Sequence, residues 1–188
     1  MSSERQFNLS NIFITITTLI FAITSLITVY ISLSAWKEER ESVRPYLTFH
    51  SSPEVYFDQN GQLVFAFRFT NVGLHPVANL HCQTIIANSN LTSNPLHTDQ
   101  YSLVNNIPQN AVADLIIYIK KDNQRINEQN LDEHFIIINL KYTDPILTKD
   151  HEQIIYLRWA GIENAKINPI FHASTEEKKQ IIDYLGQL

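Results

Sequence analysis

Two hydrophobic periods divide the chain. From Asn11 to Trp36 the stretch NIFITITTLIFAITSLITVYISLSAW is apolar almost throughout, and 31 residues without formal charge separate Arg5 from Lys37. About 20 apolar residues span the hydrocarbon layer of a bilayer. The run therefore predicts one transmembrane helix over residues 11–36 behind a tail of residues 1–10. The competing reading is a secretory signal peptide, with a basic start, an apolar core of about 7–15 residues and a small-residue cleavage site. Here Arg5 is offset by Glu4, the run is too long and SLSA is a weak cleavage signal, so an anchor is the expectation. In WKEERESVRPYL, Lys37 and Glu41 are spaced i, i+4, and Glu41 and Arg44 i, i+3. That spacing predicts a helical stalk over 37–44, which Pro45 ends by pushing Arg44 away from helical dihedrals.

Beyond Pro45 the apolar period shortens to two. RPYLTFH and EVYFD are short extended runs, and LVFAFRFTN alternates with Leu63, Phe65, Phe67 and Phe69 on one face. VANLHCQTII puts Leu80, Cys82, Thr84 and Ile86 together, and AVADLIIYIK does the same for Leu115, Ile117 and Ile119. HFIIINLKYTD offers Ile136, Ile138, Leu140 and Tyr142, and EQIIYLRWAG offers Ile155, Leu157 and Trp159. About seven strands in roughly 115 residues, separated by Asn, Asp, Ser, Gly and Pro, predict an all-β fold over residues 45–161: an antiparallel sandwich, with a small barrel second. ANSNLTSNPLHTDQ is too polar for a core strand and is expected to be a surface loop. Residues 162–188 are expected to be a linker and a short C-terminal helix in STEEKKQIIDYLGQL. Ser174 and Glu177 have the spacing of a capping box, and Ile181, Leu185 and Leu188, joined by Ile182, form an apolar face. That face either packs on the sandwich or docks a partner, and packing is the preferred reading.

Charge and small residues sharpen the membrane segment. Orientation follows the flanking Lys and Arg: Arg5 and an unblocked α-amine on one side, Lys37, Arg40 and Arg44 on the other. One or two against three predicts a cytoplasmic C-terminal domain. Along the span Thr15, Thr18, Ala22, Ser25, Val29 and Ser32 recur at steps of three and four, a stripe through which helices can associate closely in lipid. Thr17, Thr24 and Thr28 draw a competing stripe, and hydroxyls are also tolerated in lipid by bonding to their own helix. From Pro45 onward ten Lys and Arg stand against fifteen Asp and Glu, so the net charge of −5 belongs to the β domain and argues against a nucleic-acid partner. Cys82 is the only cysteine, which rules out an intrachain disulfide and suits a reducing compartment.

One segment is more specific. FRFTNVGLHPVANLH ends one strand and begins another, and it holds Asn71, Gly73, Pro76 and Asn79. Gly73 permits the positive φ that turns often need, and Pro76 suits the first residue of a strand or an exposed edge. The order Asn71-Val72-Gly73-Leu74-His75-Pro76-Val77-Ala78-Asn79-Leu80 resembles the N-x-G-x-x-P-A-x-N-V signature of immunoglobulin-like, adhesion-type bacterial β-sandwiches, with Val77 in place of the usual alanine. RPYL after an N-terminal span also resembles single-pass bacterial membrane proteins that carry such a domain. The resemblance runs from Pro45 to about Trp159, and only ten residues of it are specific. It implies an immunoglobulin-like sandwich in the bacterial inner membrane with a binding or scaffolding role, and it brings no catalytic residues. Domains of this kind are commonly extracellular, whereas the flanking charges favour the cytoplasm.

Other chemistry is sparse. The seven histidines are scattered, with no H-x-x-x-H or C-x-x-C pair, and His81 and Cys82 fall on opposite faces of a strand. No P-loop, dinucleotide fingerprint or G-x-S-x-G occurs. Asp144-Pro145 reads as a turn that Tyr142 ties down in the manner of a tyrosine corner, and Asp114 reads as a solvent-facing strand residue. The expectation is a membrane-anchored binding or scaffolding module without catalytic residues, metal or cofactor, whose partners are the bilayer and a protein. The alternative is a membrane effector or sensor that self-associates through its helix, as in some bacterial immunity systems. An enzyme is the third reading, with nothing in the sequence to carry it.

Overall fold

The computed structural model describes residues 2–91, 94–119 and 130–186, with side chains from residue 11 onward. Two compact units make up the chain, Met1–Val43 and Arg44–Leu188. The first is helix α1 (Ser2–Ser42), within which Asn11–Ser42 is long and apolar enough to cross a membrane. Phe13, Phe21, Leu26 and Tyr30 are each more than two-thirds exposed, as side chains meant for lipid would be. Most of the expected tail is helical, from Ser2, and the helix runs past residue 36 to within three residues of Pro45. The Arg40 guanidinium lies 4.5 Å from the centroid of the Trp36 ring, a cation–π contact one turn apart where the apolar run gives way to charge.

The second unit carries β1 (Leu47–Phe49), β2 (Glu54–Phe57), β3 (Leu63–Asn71), β4 (Ala78–Asn88), β5 (His97–Leu103) and β6 (Val112–Ile119). There follow β7 (His134–Asp144), β8 (Lys149–Trp159), β9 (Ile162–Glu163), β10 (Lys166–Ile167), β11 (Ile170–His172) and helix α2 (Thr175–Leu185). All pairings are antiparallel. In one sheet β1 and β2 share an edge of β3, pairing with its end and its beginning, while β6 runs along the other edge from Leu63↔Ile119 to Thr70↔Val112. The larger sheet has the order β11-β8-β7-β4-β5, and β9 and β10 form a small hairpin.

The alternating faces explain how the sheets meet. Phe65, Phe67 and Phe69 of β3 share one buried cluster with Leu80, Cys82, Ile136, Ile138, Leu140, Leu157 and Trp159 of the larger sheet. Phe65 meets the Trp159 ring edge-on at 5.1 Å, and the indole N–H donates to the Asn168 carbonyl at 2.9 Å. Burying each such side chain is worth about 1.5–3 kcal/mol, so this shared cluster is the main source of cohesion. β7 departs from simple alternation because both of its faces are covered. Phe135 and Ile137 point outward into a second cluster with Ala173 and Ile181, and α2 thereby caps that half of the sheet.

All seven expected strands form, and four more appear among the described residues. ANSNLTSNPLHTDQ was expected to be loop, but β5 begins at His97 and pairs with β4 from Leu80↔Leu103 to Ile86↔His97. It is a polar edge strand, exposed along most of its length, so no hydrophobic alternation marks it. The boundary expected at residue 161 falls inside the unit, because Ile170–His172 pairs with β8. α2 packs on the sheet through Ile181, with Leu185 beside it, and Tyr184 is buried as well, whereas Ile182 is 53% exposed and does not join that face. Leu188 lies outside the described residues. The Ser174–Glu177 capping box forms in both directions, and Arg158 Nη1 reaches Glu177 Oε1 at 3.3 Å.

Candidate functional site

The turn motif is a main-chain junction. Asn71 is fully buried at the end of β3, and its side chain uses all of its hydrogen-bonding capacity. Oδ1 accepts from the N–H groups of Tyr46 (3.2 Å) and Gly73 (3.0 Å), while Nδ2 donates to the carbonyls of His75 (2.8 Å) and Ile107 (3.1 Å). Two segments distant in sequence, at Tyr46 and Ile107, are thereby fixed to the local Gly73–His75 turn through one residue. Gly73 serves a different need from the positive φ expected of it. A Cβ there would lie 2.1 Å from the Arg44 carbonyl oxygen and 2.6 Å from the Pro45 Cα, so close backbone approach demands glycine. The positive φ falls on Asn79 instead, at 50°. From Ala78 to His81 three steps on β4 span the two from Thr143 to Lys141 on β7, a bulge with Asn79 in it. Pro76 stands before Val77, which exchanges both backbone hydrogen bonds with Ile107 (2.9 and 2.8 Å).

His75, His81 and Cys82 do not converge. His75 Nδ1 lies 2.7 Å from Oδ2 of Asp144, whose carboxylate is fully buried and whose Oδ1 accepts from Ile146 N–H (2.9 Å) and Leu147 N–H (3.1 Å). Burial pushes the Asp144 carboxyl up, but the His75 hydrogen bond and the two amides outweigh it and hold it below its usual value. Asp144 is thus a turn residue, as expected, and also a latch on the motif. Tyr142 donates to the Pro45 carbonyl at 3.3 Å, so it ties the start of the domain rather than a local corner. His81 points outward to Ser102 Oγ at 2.7 Å. Cys82 faces the core, 3.8 Å from Thr84 Oγ1, and burial pushes its thiol up to about 11. It is therefore a neutral thiol at pH 7 and a poor nucleophile. Among the described residues no three His, Cys, Asp or Glu are grouped to hold a metal.

Among the concavities of the unit, two differ most in character. The outer face of the larger sheet below α2 is polar: Lys141 and Glu152 pair at 3.4 Å, Asn139 donates to Glu152 at 2.9 Å and Thr143 to Asp150 at 2.8 Å. A shallow hollow of about 640 Å³ runs along Lys141, Thr143, Asp150 and Glu152. The other is a cleft of about 300 Å³ at the seam where the edge strands β5 and β6 diverge. Phe69, Leu80, Cys82 and Leu140 lie within, Leu103 and Leu115 flank it, and Asn105 and Asn106 contribute polar groups. An apolar cavity with a few polar groups is the usual form of a binding site, and this one lies at the small end of their range. The sequence offers no signal for it, because it depends on β5, the strand that alternation does not mark.

Within α1 the hydroxyls of Thr15, Thr17, Thr18, Thr24 and Thr28 each donate to the carbonyl four residues earlier, at 2.7–2.9 Å. Both candidate stripes therefore carry threonines satisfied within their own helix. Ala22, Ser25 and Ser32 lie along the exposed length of the helix. Asp114, expected to face solvent, does so and pairs with Arg68 at 3.1 Å.

No family model matches the chain, and no curated protein matches it. Among solved structures it is similar to the Northeast Structural Genomics Consortium target SoR45, at 12% identity over 71% of this chain and 96% of that one, with a TM-score of 0.41. It is also similar to the C-terminal domain of wzt, at 9% identity over 71% and 81% with a TM-score of 0.34. A third likeness is to DesR, a β-glucosidase from Streptomyces venezuelae in complex with D-glucose, at 12% identity over 69% and 15% with a TM-score of 0.30. Likenesses this distant carry no argument about activity or ligand.

Proposed function

We propose that the chain is a single-pass membrane protein whose immunoglobulin-like β-sandwich is a non-catalytic module that binds a protein or holds it at the membrane. The observation that carries the reading is the apolar cleft at the β5–β6 seam, which offers a concave surface and, in Cys82, an unreactive thiol. The immunoglobulin-like assignment is supported by two antiparallel sheets around one core and by the Asn71–Asn79 motif at a strand-to-strand turn. The apolar length of α1 supports the anchor, and the Lys37, Arg40 and Arg44 flank supports a cytoplasmic domain on a bacterial inner membrane. Self-association through α1 is the weaker reading, because Thr15 and Thr18 already bond to their own helix and close packing alone would have to drive it.

The test is recovery of a partner by the full chain in nanodiscs, compared with an Ala113→Phe variant that fills the cleft. One protein enriched at least tenfold on the unsubstituted chain is the expected result. Equal recovery on both chains, or recovery of the chain itself alone, would overturn the reading.

A further inference from the structure

We infer that the β5–β6 seam is a slot for an extended peptide strand of a partner protein, which pairs with the open edge of β6 and sends an apolar side chain into the cleft. The inference rests on the binding-module reading and specifies its ligand. β6 pairs with β3 over its whole length, and among the described residues no strand pairs with its other edge. In an antiparallel ladder alternate residues direct their N–H and C=O to opposite edges, so half of β6 presents main-chain donors and acceptors outward. Edge strands are normally blunted by lysine, proline or a bulge. VADLIIYI has no lysine or proline, pairs with β3 in unbroken register, and its one charge, Asp114, is engaged by Arg68.

Main-chain pairing of this kind supplies affinity, and a neighbouring pocket for an alternate side chain supplies specificity. The cleft beside β6 is such a pocket, and its walls at Leu103, Ala113 and Leu115 call for an aliphatic or aromatic side chain. Charge selects further. Among the described residues Asp114 is the only charged residue lining the cleft and is already paired with Arg68, so the preference for bases comes from the domain, which carries five more acids than bases from Pro45 onward. The occupant is therefore an extended segment with apolar residues at alternate positions and flanking Lys or Arg. A second copy of this chain also offers an alternating strand flanked by bases, since VADLIIYI runs on into Lys120 and Lys121, and it is the competing occupant that the test separates.

The test selects a phage-displayed library of random twelve-residue peptides on the full chain in nanodiscs. Selected peptides should alternate apolar residues and carry Lys or Arg, and binding should slow amide exchange in Val112–Ile119. N-methylation of one alternate set of peptide amides should weaken binding at least tenfold, and methylation of the other set should be tolerated. Ala113→Phe should abolish binding without shifting the melting temperature. If both methylated sets bind like the parent, the cleft takes an apolar ligand and the strand slot is wrong. Protection confined to the outer polar face would also sink the slot while leaving the binding module standing. If no peptide is selected, the strand slot is wrong, while recovery of a partner by the full chain still decides the binding module. Concentration-dependent protection of β6 without peptide would assign the edge to a second copy and overturn the proposal.

Discussion

Asn71 spends both amide hydrogens and both carbonyl lone pairs on main-chain groups of three segments while having no exposure itself. Leaving a buried donor or acceptor without a partner costs about 1–3 kcal/mol each, so Asn71→Ala should lose about 3 kcal/mol. Urea unfolding of the detergent-solubilised chain, followed by circular dichroism, measures this, and a loss under about 1 kcal/mol would contradict the junction. Two glycines make a paired test. Gly73→Ala drives a Cβ into the Arg44 carbonyl, whereas at Gly186 the nearest atoms are 3.6 Å away, so only the first should destabilise the domain. His134 gives a pH signature. It is 3% exposed beside Trp159, its Nδ1–H donates to the Asp132 carbonyl, and burial lowers its pKa from 6.5. The unfolded chain then binds the proton more readily, so this contribution to stability is full above pH 6.5 and is lost as pH falls through the lowered folded value. Measured against His134→Phe, the unsubstituted chain should lose stability between pH 7.5 and 5.5; a constant difference would refute that. The motif's spacing was legible in sequence but its physics was not. Whether a glycine answers a positive φ or a close approach depends on Arg44, far away in the chain, and the His75–Asp144 latch joins residues 69 apart.

At the level of elements, the long strands were legible because their two faces differ. The Phe65–Phe67–Phe69 row and the Ile136–Ile138–Leu140 row both alternate and both enter the shared core. β5 was not legible because an edge strand can be polar on both faces, and β11 is too short to show a period. In α2 the capping box could be read directly, while the choice between Ile182 and Tyr184 for the buried face could not. Ser174→Ala should cost about 1 kcal/mol through the lost cap. Ile181→Ala should cost about 2–5 kcal/mol as a core truncation, and Ile182→Ala should stay within about 0.5 kcal/mol. Thermal melts of the three variants check the order, and equal losses at Ile181 and Ile182 would place the wrong face on the sheet. For α1, replacing Thr18, Ala22 and Ser25 with Leu keeps the length and apolarity that membrane insertion needs. Alkaline carbonate should still leave this variant in the membrane pellet, and its extraction would contradict the anchor.

At the scale of the whole molecule, an apolar helix of membrane-spanning length is joined in sequence to a β unit with a cleft at its β5–β6 seam. The polar outer face satisfies much of its own hydrogen bonding across strands, whereas the cleft at the β5–β6 seam has largely apolar walls. The most direct test is photo-crosslinking in the native cell from two positions of the full chain. A benzoyl-phenylalanine replaces either Tyr101, at the cleft, or Ile154, on the outer face of the larger sheet. The account predicts a discrete adduct with a different protein from Tyr101, lost when Ala113→Phe is added, and none from Ile154. Equal adducts from both positions, or a Tyr101 adduct of twice the chain's own mass, would contradict it.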